Sequence, residues 1–506
     1  MRVECLLLRL IALGAMFVAA SAHAQWLPAK ADSFYSNVLG QKRAIEVFLP
    51  QESDKDAAQR YETIYVLDGD WNSKIVVDVV TFMRQVGFMP PVIVVSVPNF
   101  FDDKGVNSRD HDLTPTVVAD QQRSGGAAAF LSFLKTELVP YINQHYPANG
   151  TNLIHGHSFG GLFLVYALLN EPALFDGYLI LDPAMGWDNH ALDAAIDSRL
   201  GATPAKGKAI YIAGRKGMAF EGMGLASIEP ILQHKAPADL HWQLVAYPDE
   251  THDSLKLKAT YDALKFAYQG YTAKPIEVIP NEGILIKGKP MLVHVENERF
   301  DIRYTTDGSV PDTSSPKVGE TIAISDPEKT TIKLLSTRGS FDRVIPHHLK
   351  SGNALPPEKR AVRANGSTWR YAFYPVQAWP RLDRSKPFRS GDTDRSMDVA
   401  HAGREDFAGS AERDLDVPED GYYVFLVEAT DQARLSLSGK TLVDVDASHG
   451  RHEQAFVVPL RRGTYHARLE FRHPTAASDV RLTVFQCKEG ETAWWKNHFA
   501  QVGPTR

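Results

Sequence analysis

Leu153-Ile154-His155-Gly156-His157-Ser158-Phe159-Gly160-Gly161-Leu162 reads as the end of a strand, a tight turn and the opening of an apolar helix, with Gly-x-Ser-x-Gly across the turn. The turn crowds the chain, so the positions two before and two after the serine must lack side chains, and Gly156 and Gly160 stand there. By itself the five-residue pattern is weak, because a capping serine at a glycine-rich helix start also produces it. The strand before and the helix after make it a nucleophile elbow, with Ser158 as the nucleophile.

Outward from this turn, short apolar runs at 64–67, 92–97, 178–181 and 209–213 are too short for helices and lack alternation, as strands buried on both faces do. Between 92–97 and 152–154 lies a helical pattern with Phe130, Leu131, Phe133, Leu134, Leu138, Tyr141 and Ile142 on one face. Strands alternating with helices predict a doubly wound, mostly parallel sheet, the α/β-hydrolase class, with reactive groups at the carboxyl ends of its strands.

A serine hydroxyl needs a base to take its proton, and this fold orders the partners as Ser, acid, His. His252, in a polar loop after the strand at 243–246 and before a helix with Leu255, Tyr261 and Leu264, fits best; His241 and His190 read as surface histidines. Developing negative charge on the attacked carbonyl needs fixed N–H dipoles from two directions. One direction is the turn after Leu67, at Gly69, Asp70 and Trp71.

The segment from about Ser36 to Tyr271 resembles a family of esterases related to the trilactone siderophore (enterobactin-type) hydrolases, similar in turn to feruloyl and S-formylglutathione esterases. The motifs are Val38-Leu39-Gly40-Gln41-Lys42-Arg43, Tyr65-Val66-Leu67-Asp68-Gly69, Arg109-Asp110-His111-Asp112-Leu113-Thr114-Pro115, the elbow, and Glu250-Thr251-His252-Asp253-Ser254, in that order. The resemblance implies Ser158 as nucleophile, His252 as base, and an oxyanion hole of the Phe159 N–H with one from Gly69, Asp70 or Trp71. It places the acid just after 209–213, where the chain reads Gly214-Arg215-Lys216-Gly217-Met218-Ala219-Phe220-Glu221. Glu221 is the first choice, Asp182 after the preceding strand the alternative, and a Ser-His dyad without an acid the third. Arg109, Trp71 and Trp187 are candidate substrate-binding residues, an exposed tryptophan being suited to stacking on a sugar or aromatic ring. This chemistry requires no metal or organic cofactor.

After about Lys274 helical periodicity fades and short alternating strands appear between Gly, Pro, Asp and Ser clusters, which predicts all-β structure. The stretch from Phe300 to Pro316 resembles the C-terminal β-sandwich of chitobiases and β-hexosaminidases. Asp420-Gly421-Tyr422-Tyr423-Val424-Phe425, with 435–446 and Leu460-Arg461-Arg462-Gly463-Thr464-Tyr465, resembles the protective-antigen-type β-sandwich. Lectin members of that family bind calcium through paired aspartates; Asp431-Gln432 stands there in this chain. Boundaries are expected at 1–24 (leader), 25–273, 274–350 and 351–506. Every candidate for chemistry lies before about residue 255, so the later β modules are read as scaffold or glycan-binding parts that place the enzyme on its substrate.

The 506-residue length exceeds what one core organises. Hydrophobic residues at 44% and charged residues at 23% exclude a disordered or fibrous chain. A net charge of -6 without a long basic run argues against nucleic acid or an anionic membrane as partner, leaving a small-molecule or glycan-linked ester. Arg2 and Arg9 precede an apolar run at 10–20 and then Ala22-His23-Ala24, a leader cleaved after Ala24 and too short to span a membrane, which needs about 18–20 residues. Cys487 is then the single cysteine of an exported, periplasmic or extracellular chain, so no internal disulfide forms. The rival readings are an acyltransferase using the same Ser-His site and a non-catalytic glycan-binding protein.

Overall fold

The computed structural model describes residues 26–487 apart from 27, 55, 120–122, 205, 297–298, 359–367, 394–405, 446–451, 474 and 476–479. The leader expected at 1–24 lies outside the described residues. The chain divides into two compact units: the first is Met1–Ala273 with Ser336–Phe341, the second Lys274–Leu335 with Asp342–Arg506.

The first unit is built on eight strands: β1 (Lys30–Ser36), β2 (Gln41–Phe48), β3 (Tyr61–Leu67), β4 (Val92–Val97), β5 (Ala148–His157), β6 (Gly177–Leu181), β7 (Ala209–Arg215) and β8 (His241–Tyr247). Their order in the sheet is β1-β2-β4-β3-β5-β6-β7-β8. β1 pairs antiparallel with β2 and β2 with β4, and every later pairing is parallel. Every residue of β3, β4 and β6 is buried, as expected of strands covered on both faces. Side chains alternate across a strand, so Tyr65 and Leu67 enter one core and Ile64 and Val66 the other. α1 (Gly69–Gln85) and α9 (Leu255–Ala267) supply Val76, Val80, Ala259 and Leu264 to the second of these cores. α3 (Ala127–Phe133), α4 (Val139–His145) and α5 (Phe159–Asn170) cover the opposite face. Short helices α2 (Arg109–Leu113), α6 (Asp193–Arg199), α7 (Met218–Gly222) and α8 (Leu225–Lys235) fill the connections.

Two local departures from the sequence reading have physical causes. The strand at 152–154 is ten residues long, because its outer end from Ala148 to Thr151 is partly solvated and carries no apolar signal. The helix carrying Phe130 to Ile142 is interrupted by a π turn at Leu134–Leu138, ahead of the backbone N–H lost at Pro140 in α4.

The second unit is all β. It contains two three-stranded sheets, β13-β11-β9 and β12-β14-β15, formed by β9 (Val278–Ile279), β11 (Met291–Val295), β12 (Asp301–Thr305), β13 (Thr321–Ile324), β14 (Thr331–Leu335) and β15 (Arg343–Ile345). β10 (Glu282–Leu285) lies between β16 (His348–Ser351) and β23 (His452–Leu460), parallel to both. The two modules expected at 274–350 and 351–506 therefore share a sheet. They also share a core, in which Leu285, Val293 and Ile322 join Tyr422, Val424 and Val457.

The segment Ser336–Phe341 belongs to the first unit through a buried ion pair. Arg338 Nη2 lies 2.8 Å from Glu62 Oε2, Arg338 Nε donates to the Ala267 carbonyl at 3.0 Å, and the guanidinium sits 4.9 Å from the Tyr268 ring centre. A cut after Ala273 is thus not the neutral boundary that sequence texture suggests. Arg338→Met strands the Glu62 carboxylate and is expected to lower stability by about 3–5 kcal/mol in urea unfolding; an unchanged midpoint would show the pair to be dispensable.

Candidate active site

Three non-glycine residues with positive φ sit at the carboxyl ends of the three neighbouring strands β3, β5 and β6: Asp68 (50°), Ser158 (60°) and Asp182 (41°). Each such residue costs on the order of 1–3 kcal/mol and persists only where its surroundings hold it. Ser158 has ψ −117° and begins α5; its N–H donates to the Leu181 carbonyl at 3.0 Å, and its own carbonyl accepts from Leu162 and Ala184. A Cβ on Gly156 would stand 2.6 Å from the Gly160 backbone, so this glycine is obligatory. The sequence reading required the same of Gly160, but a Cβ there meets nothing nearer than 3.5 Å. The second tight position is Gly161, whose Cβ would come within 2.9 Å of Pro183.

The expectation that Glu221 orients His252 is corrected by the geometry. Glu221 lies exposed on α7, whereas His252 Nδ1 is 2.6 Å from Asp182 Oδ2. The reason is visible at the end of β7, where a cation stands in place of a carboxylate: Arg215 Nε donates to the same Asp182 oxygen at 2.6 Å. Asp182 is fully buried and its Oδ1 has no hydrogen-bond partner among the described residues, so both donors converge on one oxygen. Burial alone would raise the Asp182 pKa; hydrogen bonds from His252 and Arg215, with their charges, outweigh it and hold the carboxyl below its ordinary range. Because an ionised carboxylate only accepts, His252 Nδ1 is the donor, and in the neutral imidazole the lone pair then falls on Nε2.

Sequence reasoning gave His157 no role. Its Nε2 donates to the His252 carbonyl at 2.8 Å and the two rings lie 4.2 Å apart, so the residue before the nucleophile ties the elbow to the base's loop. Burial, and then the neighbouring His252 charge, push its pKa down to about 3, which keeps it neutral. Its only sequence signal was adjacency to Ser158. Among the described residues Ser158 Oγ finds no hydrogen-bond partner; such contacts often tighten only when substrate arrives.

The sequence candidates for oxyanion donors lie at two helix starts. Phe159 opens α5, and Gly69 and Asp70 open α1, where the first N–H groups of a helix have no acceptor within it. The Trp71 N–H instead donates to the Asp68 carbonyl at 2.9 Å, which removes it from the candidates. Arg109 opens the short helix α2 and forks onto Asp68. Trp187, expected to be exposed, is buried edge-on to Phe159 with its ring N–H 3.0 Å from Thr116 Oγ1. Trp71 is exposed, at 52%.

Among the described residues, His157, Asp182 and His252 could gather a metal ion, their ligand atoms lying within 4.8 Å of one another. His157 Nε2, His252 Nδ1 and Asp182 Oδ2 already bond within the site, and the Arg215 cation stands against the one carboxylate of the cluster. The residues do not fit a metal centre.

The depressed Asp182 pKa has a testable sign. A lowered folded-state pKa contributes stability that is present above the unfolded value and lost as pH falls through the folded one. Arg215→Met removes a charged donor from a buried carboxylate and is expected to cost about 1.5–3 kcal/mol near neutral pH. Urea unfolding at a series of pH values should show that deficit shrinking as Asp182 is protonated; a deficit independent of pH would assign Arg215 a packing role only.

Residues 36–211 match the family model described as "Putative esterase", residues 280–342 the chitobiase/β-hexosaminidase C-terminal domain and residues 385–493 the PA14 domain. The chain is 28% identical over 160 residues to the siderophore enterobactin esterase of Emericella nidulans, covering 28% of this chain and 52% of that protein. It is 26% identical over 163 residues to the ferri-bacillibactin esterase BesA of Bacillus subtilis, covering 29% and 56%. The chain thus spans about half the length of the curated relatives it matches. An IroE-like serine hydrolase from Shewanella oneidensis aligns with a TM-score of 0.42 at 28% identity, over 47% of this chain and 79% of that one.

Proposed function

We propose that the first unit hydrolyses carboxylic esters through an acyl-enzyme on Ser158. The observation that carries this reading is the Asp182–His252 hydrogen bond of 2.6 Å beside a strained serine at a strand-to-helix turn. Ser158 Oγ attacks the ester carbonyl while His252 Nε2 takes its proton, and Asp182 stabilises the imidazolium that forms. The N–H groups of Phe159 and of Gly69 or Asp70 hold the oxyanion. The tetrahedral intermediate collapses as His252 returns the proton to the departing alcohol. Water, deprotonated by His252, then attacks the acyl carbon, and His252 returns that proton to Ser158 Oγ as the bond to it breaks and the acid departs.

The β unit favours an ester attached to a polysaccharide, with glycan binding assigned to that unit; the relatives' names favour a siderophore lactone. The apolar run at 10–20 followed by Ala22-His23-Ala24 supports export to the periplasm or the medium, and no described helix is long and apolar enough to cross a membrane. Screening acetyl, feruloyl and siderophore esters for acid release, with Ser158→Ala as control, tests the reading. Release from at least one class by the wild type alone is expected; no release from any would refute it.

A further inference from the structure

The wall beside Ser158 carries a cation that is already neutralised. Arg109 Nε and Nη2 donate to Asp68 Oδ1 and Oδ2 at 2.7 and 2.8 Å, and Asn99 Nδ2 adds a bond to Oδ1 at 3.0 Å. The carboxylate is 1% exposed and the guanidinium 15%. Asp68 lies 3.5 Å from where a Cβ of Gly160 would stand, so the pair rests against the helix that Ser158 begins. The guanidinium carbon is 5.3 Å from the Trp71 ring centre and 5.2 Å from that of Phe159. Arg215, the other guanidinium at the site, is held by Asp182. Exposed Asp70 lies in the first turn of α1 and exposed Asp249 and Asp253 on the loop after β8, at this same end of the sheet, and Lys256 is paired with Asp253.

An anion receptor needs uncompensated positive charge, and here two of the five Arg109 N–H donors are committed to a buried carboxylate that neutralises the guanidinium. A flat, uncharged ring meets a different surface. The Arg109 guanidinium already lies against the Trp71 and Phe159 rings, and the exposed Trp71 ring is the surface on which such a ring can stack.

We propose that the Asp68–Arg109 pair sets the charge class of the substrate: the site takes uncharged esters bearing a planar ring and discriminates against anionic ones, multiply charged ferric catecholate complexes included. This rests on the hydrolase reading above. The matched probes are p-nitrophenyl benzoate and the mono-p-nitrophenyl ester of terephthalic acid, which differ by one carboxylate. Wild-type kcat/KM should favour the neutral ester by about tenfold or more. Asp68→Asn keeps a residue type that tolerates the left-handed backbone while removing the charge, and should narrow that ratio by about an order of magnitude. Arg109→Gln should widen it. A wild-type ratio near one, or a ratio that neither substitution moves, overturns the proposal. If neither ester turns over while a fluorophosphonate still labels Ser158, the same ratio is expected when benzoate and terephthalate monoesters compete with labelling. A folded protein that neither turns over ester nor labels loses the hydrolase reading and the proposal together, whereas an active enzyme without charge preference loses the proposal alone.

Discussion

Ser158→Ala is expected to lower turnover of any ester the protein hydrolyses by on the order of 10^4-fold or more, and His252→Ala by a comparable factor, since members of such a unit act together. The Ser158 substitution removes the attacking oxygen, and Ala has no side chain to lend in its place. The backbone at 158 remains strained in either case (φ 60°), so circular dichroism and urea unfolding should accompany the rates. The double variant should be little worse than either single one, because a base without a nucleophile has nothing to activate. Retention of most activity in Ser158→Ala would remove the serine from the mechanism.

The second large effect is expected at the acid. Asp182→Asn keeps the shape of the side chain but loses the charge opposite His252 and permits the wrong tautomer, which in a triad of this kind costs roughly 10^4-fold in kcat. Glu221→Gln should stay near wild type, because Glu221 is exposed on α7 and Asp182 already occupies His252 Nδ1. The comparison of the two variants is steep enough to read without a refined kinetic scheme. Near-wild-type rates in Asp182→Asn would leave a Ser-His dyad, and a severe loss in Glu221→Gln alone would restore the acid to the end of β7.

The parts of the site legible in sequence are those set by local crowding and chain order. The elbow announced itself through Gly156 and the strand and helix around Ser158, and His252 through a polar loop after the last strand. The acid was not fixed by such signals, since a carboxylate follows β6 as well as β7 and the choice depends on which one the His252 loop approaches. Arg215 at the end of β7 is the deciding residue, and its bond to Asp182 spans two strands. Trp187 looked like a ligand-stacking residue because its partners, Phe159 and Thr116, are distant in sequence. In the second unit, alternation gave the strands of both sandwich-like segments, but the pairing of β10 with β23, Glu282 opposite Phe456, leaves no local trace. The place of Arg338 in the first unit is hidden for the same reason: its partner Glu62 lies far away along the chain.

The most direct test of the account is covalent labelling of the full-length protein with a fluorophosphonate, read by peptide mass spectrometry. An activated serine attacks phosphorus as it would an ester carbonyl, displacing fluoride, and the adduct is stable because the phosphonyl ester resists the attack by water that clears an acyl-enzyme. One adduct per chain is expected, on the peptide bearing Ser158, absent in Ser158→Ala and formed far more slowly in Asp182→Asn. A folded, unlabelled protein, or an adduct on another residue, would contradict the claim that Ser158, His252 and Asp182 form a working hydrolytic site.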